Sequence, residues 1–492
     1  MKTKITLFIA LCFSLGIFAQ EFTTPDSGVN WTLEDLMEES EETVEFVDNT
    51  YIIKQDIMVS KNDTLTFNSG ENINIDAEVL ITVSGNWLSL GEEENLIKIN
   101  ATDSLTPYEG FRLQDEAVIN IDYTSFKNGG GLRVITPNLT LTNSIFEYNT
   151  ADGVNTSSTV NISNGAPLIE NNRFYKNDLS AIASGANVDA APKILNNHIE
   201  ANSQNVENRP QINLGSSGGE TIEIVGNTII GDRDLTSIGG ISVANLLGGE
   251  LNALIENNTI QDNRYGINIQ GGGNAYVEVV ENIIEDNDTE GNPALGGSGI
   301  SMTSASSSQV TVVTGNEIRG NLWGITVINE ATANLGDEED NPGNNIFSEN
   351  GNGGETYALY NNTPNTIMAK NNCWIEGEES TLEEVAEVIF DQEDDESLGE
   401  VIYDPINCGV MGLPSFEKEA ISMFPNPAKD QLNFETSVEL DQIEIFDING
   451  RKVQEFSTSA VQNSIDLNLD SGVYFVLLSG ENGQLTKKLI VK

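Results

Sequence analysis

The sequence predicts an all-β protein: a right-handed parallel β-helix of about ten to twelve coils, followed by a small antiparallel β-sandwich. Three observations carry that prediction. A motif Asn-x-[Ile/Phe]-x-x-Asn recurs at Asn172–Asn177, Asn197–Asn202, Asn258–Asn263, Asn282–Asn287, Asn316–Asn321 and Asn345–Asn350. Each copy is joined to the next by short segments that alternate apolar and polar residues and never show a helical period. The chain then changes character near Leu413, where Gly412-Leu413-Pro414-Ser415 precedes a stretch with its own strand pattern.

The repeat comes first because a missed repeat misassigns the whole fold. Degenerate copies at Ser144–Asn149, Asn227–Asp232 and Asn372-Cys373-Trp374 extend the series. The apolar anchors run Phe146, Phe174, Ile199, Ile229, Ile260, Ile284, Ile318, Phe347 and Trp374, about 28 residues apart on average. A second strand follows each motif, as at Gly266-Ile267-Asn268-Ile269 and Gly324-Ile325-Thr326-Val327. A third leads into the next motif, as at Val277-Glu278-Val279-Val280. Three short strands per unit cannot close a core alone, so the units stack at about 4.8 Å and bury Ile, Val and Phe between them. The repeated Asn reads as a ladder that satisfies backbone groups at the turns.

Both open ends of such a rod need covers. Thr32-Leu33-Glu34-Asp35-Leu36-Met37 has the start of a capping box and a short amphipathic helix. At the other end a helix over 382–388, the acidic run 391–396 and the strand-like Val401-Ile402-Tyr403 read as a cap.

Composition narrows the function. The 492 residues hold 23 Lys+Arg against 76 Asp+Glu, a net charge of −53, which excludes nucleic acid as a partner. Lys2 and Lys4, the apolar run from Ile5 to Phe18 and the small residue Ala19 read as a secretory signal. No stretch is long enough to span a membrane. Cys373 and Cys408 remain after the signal, and either pair in one disulfide or stay as thiols.

The C-terminal segment alternates at Gln442–Phe446, Gly472–Leu477 and Lys488–Val491, with turn signals at Asn449-Gly450 and Asn482-Gly483. With Phe424-Pro425-Asn426-Pro427, the run Ile445–Arg451, Leu469–Tyr474 and the terminal Lys487–Lys492, it resembles the C-terminal sorting domain of the type IX secretion system. That resemblance implies the secretion machinery as partner, passage across the outer membrane, and attachment to the surface or release. The stretch from Tyr51 to Cys408 resembles the pectate-lyase-like β-helix superfamily, which hosts lyases, hydrolases, epimerases and non-catalytic surface proteins. The resulting plan is a signal peptide over 1–19, an N-terminal cap over 20–50 and the β-helix over 51–375. A cap over 376–412, a linker over 413–420 and the sorting domain over 421–492 complete it.

Catalytic patterns are scarce. Only 14 Lys+Arg lie between Glu21 and Gly412, against 64 Asp+Glu, and no cluster matches a lyase base. The single histidine, His198, is expected to face outward and to be inert, and one histidine cannot build a two-histidine zinc motif. Gly215-Ser216-Ser217-Gly218-Gly219 has the letters of a hydrolase elbow, but a strand rather than a helix follows. Asp262 and Asp286 share one slot of consecutive motifs and should stack about 4.8 Å apart, close enough to recruit a cation. They are the candidate metal ligands, with calcium the one ion expected and no other cofactor. Glu285 and Arg319 should meet as a cross-coil ion pair, and the acidic segment 337–342 reads as a loop rather than an EF-hand. Asp63-Thr64-Leu65 and Asp103-Ser104-Leu105 resemble O-glycosylation acceptors. The expected function is an exported, non-catalytic binding rod, surface-displayed or shed, whose partner is a glycan. The alternative is a polysaccharide lyase or glycoside hydrolase.

Overall fold

The computed structural model describes residues 21–408 and 421–492, apart from 156, 206–207, 338, 378–379, 437–441, 448–450, 458–463, 470 and 481–482. The expected signal peptide, the linker at 413–420, the Asn449-Gly450 turn and Asn482 lie outside the described residues. By contacts the chain divides into two units, one ending at Asn407 and one starting at Cys408.

In the first unit, each turn of the chain contributes one strand to each of three long sheets. Sheet 1 has 14 strands, from Phe22–Thr23 and Ile57–Val59 to Ile389–Phe390. Sheet 2 has 14, from Asn30–Thr32 to Val401–Ile402, and sheet 3 has 13, from Val44–Val47 to Ile346–Ser348. Neighbouring strands pair in parallel, except the first hairpin, Val44–Val47 with Thr50–Ile53. Eleven complete three-strand coils run from Ile57–Val59 to Ile346–Ser348 among the described residues. This is the parallel β-helix that the repeat predicts.

The anchors form one interior row. Phe126, Phe146 and Phe174 stack at 4.6 and 5.0 Å, the row continues as Ile199, Ile229, Ile260, Ile284 and Ile318, and it ends where Phe347 stacks on Trp374 at 4.8 Å. Each is fully or almost fully buried, so identical shapes one coil apart fill the interior without voids. The interior departs from the all-apolar expectation at Gln309–Thr314. Gln309 and Thr311 point inward, fully buried and without hydrogen-bond partners for their side chains, while Val310 is 40% exposed.

Two asparagine ladders close the turns. One runs between sheets 2 and 3, from Ser144 through Asn172, Asn197, Asn227, Asn258, Asn282, Asn316 and Asn345 to Asn372. Asn282 shows the unit of bonding. Its Oδ1 accepts from the backbone N–H and Nδ2 of Asn258, at 3.0 and 2.9 Å. Its Nδ2 donates to Asn316 Oδ1 and to the carbonyls of Ile255 and Val280. The residue before each rung is left-handed, for example Asn171, Asn196, Asn257 and Glu281 at φ between 52° and 57°. Asparagine tolerates that backbone well, which explains the paired Asn-Asn in the motif.

The second ladder, between sheets 3 and 1, links Asn149, Asn177 and Asn202, and then Asn263, Asn287, Asn321 and Asn350. Its missing rung is the coil whose motif ends in Asp232. There Gln211, fully buried, reaches in from the next strand: its Oε1 accepts from Asn202 and its Nε2 donates to Asn263 Oδ1 at 3.2 Å.

A short helix lies near each end, while strands expected within the caps instead join the sheets, Phe22–Thr23 and Ile389–Phe390 in sheet 1 and Asn30–Thr32 and Val401–Ile402 in sheet 2. The helix Leu33–Glu39 starts at a full capping box of Thr32 and Asp35 and buries Leu33 and Leu36. Hydrogen bonds from Thr32 hold the Asp35 carboxyl below its usual range. The helix Leu382–Ala386 has a matching box of Thr381 and Glu384. Beyond it the half-closed end is held by Asp391, whose carboxylate accepts from the N–H of Glu393 and of Val401. Cys373 and Cys408 are disulfide-bonded.

The second unit is antiparallel, with a three-stranded sheet of Ile421–Phe424, Gln431–Thr436 and Ser464–Asp466. A four-stranded sheet of Lys452–Ser457, Gln442–Asp447, Gly472–Gly480 and Gly483–Val491 shares its core of Leu432, Ile443, Ile445, Val476, Leu478 and Leu489. The motifs are explained by contacts: Asn426 Nδ2 donates to the carbonyl of Lys488, Ile490 N–H donates back to Asn426 Oδ1, and Asp447 binds Arg451 at 3.0 Å.

Two stability outcomes follow from these contacts. Asn282→Ala leaves the buried backbone N–H of Asn258 without its acceptor and breaks the ladder to Asn316, so chemical denaturation should show a loss of about 2–3 kcal/mol; Gln211→Ala should cost a similar amount. Replacing both Cys373 and Cys408 by Ser should cost about 3–4 kcal/mol for a loop of this length, read from the same denaturation curves.

Candidate functional site

On a β-helix, inward side chains are committed to packing, so a site must come from outward rows and the loops beside them. The outward row of sheet 1 reads Asn213, Ser242, Asn268, Ser301, Thr326 and Tyr360, each in register with the next. These six line the floor of a groove of about 520 Å³. Neighbouring rungs bond to each other, Asn268 Nδ2 to Ser242 Oγ at 2.9 Å, and Thr326 also meets Ser298 at 3.0 Å.

The walls come from loops preceding sheet 1 strands. Arg264 ties two of them together: its Nε donates to the carbonyl of Leu295 at 3.0 Å, and a terminal nitrogen donates to Asn208 Oδ1. Trp323 is fixed by its Nε1 donating to the Pro293 carbonyl at 2.9 Å. Its ring lies 4.7 Å from Tyr357 and 5.0 Å from Tyr360, and Tyr360 stacks on Phe390. Burial pushes the Tyr265 hydroxyl up to about 12, against an opposing pull from Arg264. Arg209 also lines the groove and has no hydrogen-bond or ion-pair partner among the described residues. In a chain with 76 Asp+Glu, no carboxylate lines this groove among the described residues.

The residues singled out from sequence lie elsewhere. Asp262 and Asp286 do occupy one slot in successive coils, at the left-handed position before Asn263 and Asn287. Arg233 reaches across them: its guanidinium binds Asp262 at 2.6 Å and Asp288 at 2.7 Å, and donates to the Asp286 carbonyl. A protein cation therefore already neutralises part of this acidic slot. Glu285 and Arg319 are register neighbours, but Arg319 pairs with Glu317 and Glu376 instead, because Glu376 offers both carboxylate oxygens to its fork. His198 faces outward and its Nε2 lies 2.9 Å from Glu200, so it has a partner that the sequence did not suggest. Gly215–Gly219 is a turn before the strand Thr221–Val225, not an elbow. In the acidic loop, Asp337 Oδ1 accepts three backbone N–H groups, which hold its carboxyl near 2. Ser104 sits on an exposed turn, whereas Thr64 lies in a strand between buried Asp63 and Leu65. Among the described residues there is no group of three or more His, Cys, Asp or Glu placed to hold a metal ion, and no helix is long and apolar enough to cross a membrane.

The groove itself could not be read from the motifs. Its floor lies in the strands after the asparagine repeat, and its walls in loops without a repeat. A signal was present in the alternating Asn268, Ser301 and Thr326, whose period places them outward.

The Tyr265 hydroxyl gives a pH test. Its folded value lies above the unfolded phenol value of about 10, so its contribution to stability is complete below pH 10 and is lost as pH rises through about 12. Tyr265→Phe should remove up to about 2–3 kcal/mol of that alkaline loss, measured by denaturation between pH 9 and 12.

Comparison with known proteins places the two units. Residues 422–492 match the family described as secretion system C-terminal sorting domain, and residues 219–377 match a protein family of unknown function, DUF1565. No curated protein matches the chain. Among solved structures, a double mutant of the periplasmic alginate epimerase AlgG is similar at 11% identity and a TM-score of 0.43, over 79% of this chain and 84% of that one. The unmutated AlgG is similar at 10% and 0.39, over 76% and 83%. An alginate lyase from Paenibacillus sp. str. FPU-7 is similar at 10% and 0.20, over 79% and 99%. At these scores none of them decides the chemistry of this chain. The chain is a parallel β-helix followed by a C-terminal sorting domain, which marks it for export by the type IX secretion machinery.

Proposed function

We propose that the exported β-helix is a non-catalytic glycan-binding rod, and that the sheet 1 groove holds the glycan. The observation that carries this reading is the groove's lining: amide and hydroxyl rungs along the floor, Trp323 and Tyr360 on one side, and no carboxylate among the described residues. Rungs about 4.8 Å apart suit an extended chain of pyranose rings, with hydroxyls meeting Asn268, Ser301 and Thr326. Aromatic faces cover the apolar side of a sugar ring, and the tilted Trp323–Tyr360 pair offers such a surface.

Glycoside hydrolysis needs two carboxyl groups about 5–9.5 Å apart across the scissile bond. Among its described lining residues the groove provides none. The alternative, a lyase, is favoured by one feature, the Tyr265–Arg264 pair at the groove wall. With its hydroxyl near 12, Tyr265 is protonated at neutral pH and would act as a proton donor rather than as the base that elimination requires. Calcium at Asp262 and Asp286 belongs to the proposal only as a structural ion competing with Arg233.

The test uses neutral and acidic polysaccharides with calcium, following unsaturated-product absorbance, new reducing ends and retention on immobilised glycan. We expect retention without either product, and at least tenfold weaker retention for Trp323→Ala with unchanged β-sheet signal. Unsaturated product would overturn the reading in favour of a lyase, and new reducing ends in favour of a hydrolase. Absence of retention on every glycan would end the binding proposal.

A further inference from the structure

The β-helix contains seven arginines, and their partners divide them by face. Arg173, Arg233 and Arg319 lie in or beside sheet 3, and each is ion-paired with Asp or Glu. Arg112, Arg133, Arg209 and Arg264 lie in or beside sheet 1, and none has a carboxylate partner among the described residues. Arg209 and Arg264 belong to the groove. Arg112 and Arg133 do not, and they are arranged differently.

These two stand in the same outward row of sheet 1 in consecutive coils, with Arg112 in register with Arg133. Their backbones are thus about 4.8 Å apart. Two cationic side chains rooted one coil apart repel each other, yet neither has a carboxylate within ion-pair distance among the described residues of a chain carrying 76 of them. The row is closed by polar groups: Thr82 is in register with Arg112, and Asn161 with Arg133. Thr82 is 5% exposed, and its hydroxyl has no hydrogen-bond partner among the described residues. Asn161, 6% exposed, donates from Nδ2 to Ser157 and leaves its Oδ1 unused. Four outward positions in four successive coils therefore combine two arginines that have no carboxylate partner among the described residues with a threonine hydroxyl and an amide beside them.

We infer that Arg112, Arg133 and Thr82 form a binding site for a tetrahedral oxyanion ester, a sulfate or phosphate group carried on a larger molecule. Two forks rooted in adjacent coils can offer donors from two directions, which suits a tetrahedral group with three free oxygens better than a planar carboxylate, which one fork satisfies alone. The Thr82 hydroxyl supplies a further donor. The net charge of −53 does not prevent this, because screening over about 8 Å at physiological salt leaves the local pair dominant. The site is separate from the groove and does not rest on the glycan reading.

The test measures binding of the full chain to dextran sulfate, dextran phosphate, unsubstituted dextran and polygalacturonate of matched charge density. Wild type should bind at least one ester polymer tenfold or more tightly than dextran and polygalacturonate, and the tighter of the two names the ester. Arg112→Gln with Arg133→Gln should lose that binding tenfold or more. Arg112→Lys with Arg133→Lys, which keeps the charge and removes the forks, should fall between, and Trp323→Ala should leave it intact. The inference is overturned if the double Gln variant binds as tightly as wild type, if polygalacturonate binds as tightly as the esters, or if neither ester binds at 50 mM salt.

Discussion

The structure depends on one constraint: a coil of three short parallel strands has no closed core and must bond to the coil on either side at its turns as well as along its strands. Sheet pairing stops at each turn, where backbone N–H and C=O groups would be left in a dry interior. The asparagine ladders remove that cost. Each amide side chain acts at once as partner for a turn N–H, for the next amide and for a carbonyl, so a rung is useful only if the rungs beside it are present. Gln211 shows how strictly this is kept. Where the motif places Asp232, a longer amide arrives from a different strand and bridges Asn202 to Asn263.

This division of labour leaves the outward rows free. Inward positions are fixed by stacking, and the ladders by mutual bonding, while an outward residue meets only its register neighbours and solvent. Sheet 3 uses that freedom for ion-paired charges such as Lys127–Glu147–Arg173. Sheet 1 uses it for amides, hydroxyls and aromatic rings, and it keeps its arginines away from carboxylates. A groove without a described carboxylate, on a chain this acidic, stands apart electrostatically from the ion-paired rows of sheet 3.

Much of the fold was legible because periodic constraints leave periodic traces. The anchors from Phe146 to Trp374, the ladder asparagines, the capping boxes at Thr32 and Thr381 and the alternating strands of the second unit are local patterns with one physical meaning each. Interactions that skip the period left no trace. Arg233 reaches Asp262 and Asp288 from an earlier coil, Arg319 prefers Glu376 from beyond the last coil to its register neighbour Glu285, and Gln211 enters a ladder whose motif it does not share. Gln309 and Thr311 misled in the opposite sense, since Val310 and Val312 look like the inward pair of that strand and point outward.

The groove was hidden for a related reason. Its floor residues are ordinary strand residues whose significance comes only from register, since Asn213 and Tyr360 are far apart in sequence yet belong to one row. Its walls exist because loops of unequal length precede sheet 1 strands, and Arg264 holds two of those loops together by bonding Leu295 and Asn208. A repeat keeps its geometry only where its length is kept, so the longer loops before sheet 1 strands build up the face beside them. Beside sheet 1 these loops, the aromatic cluster and arginines without a described carboxylate partner share one face, where outward residues answer only to their register neighbours.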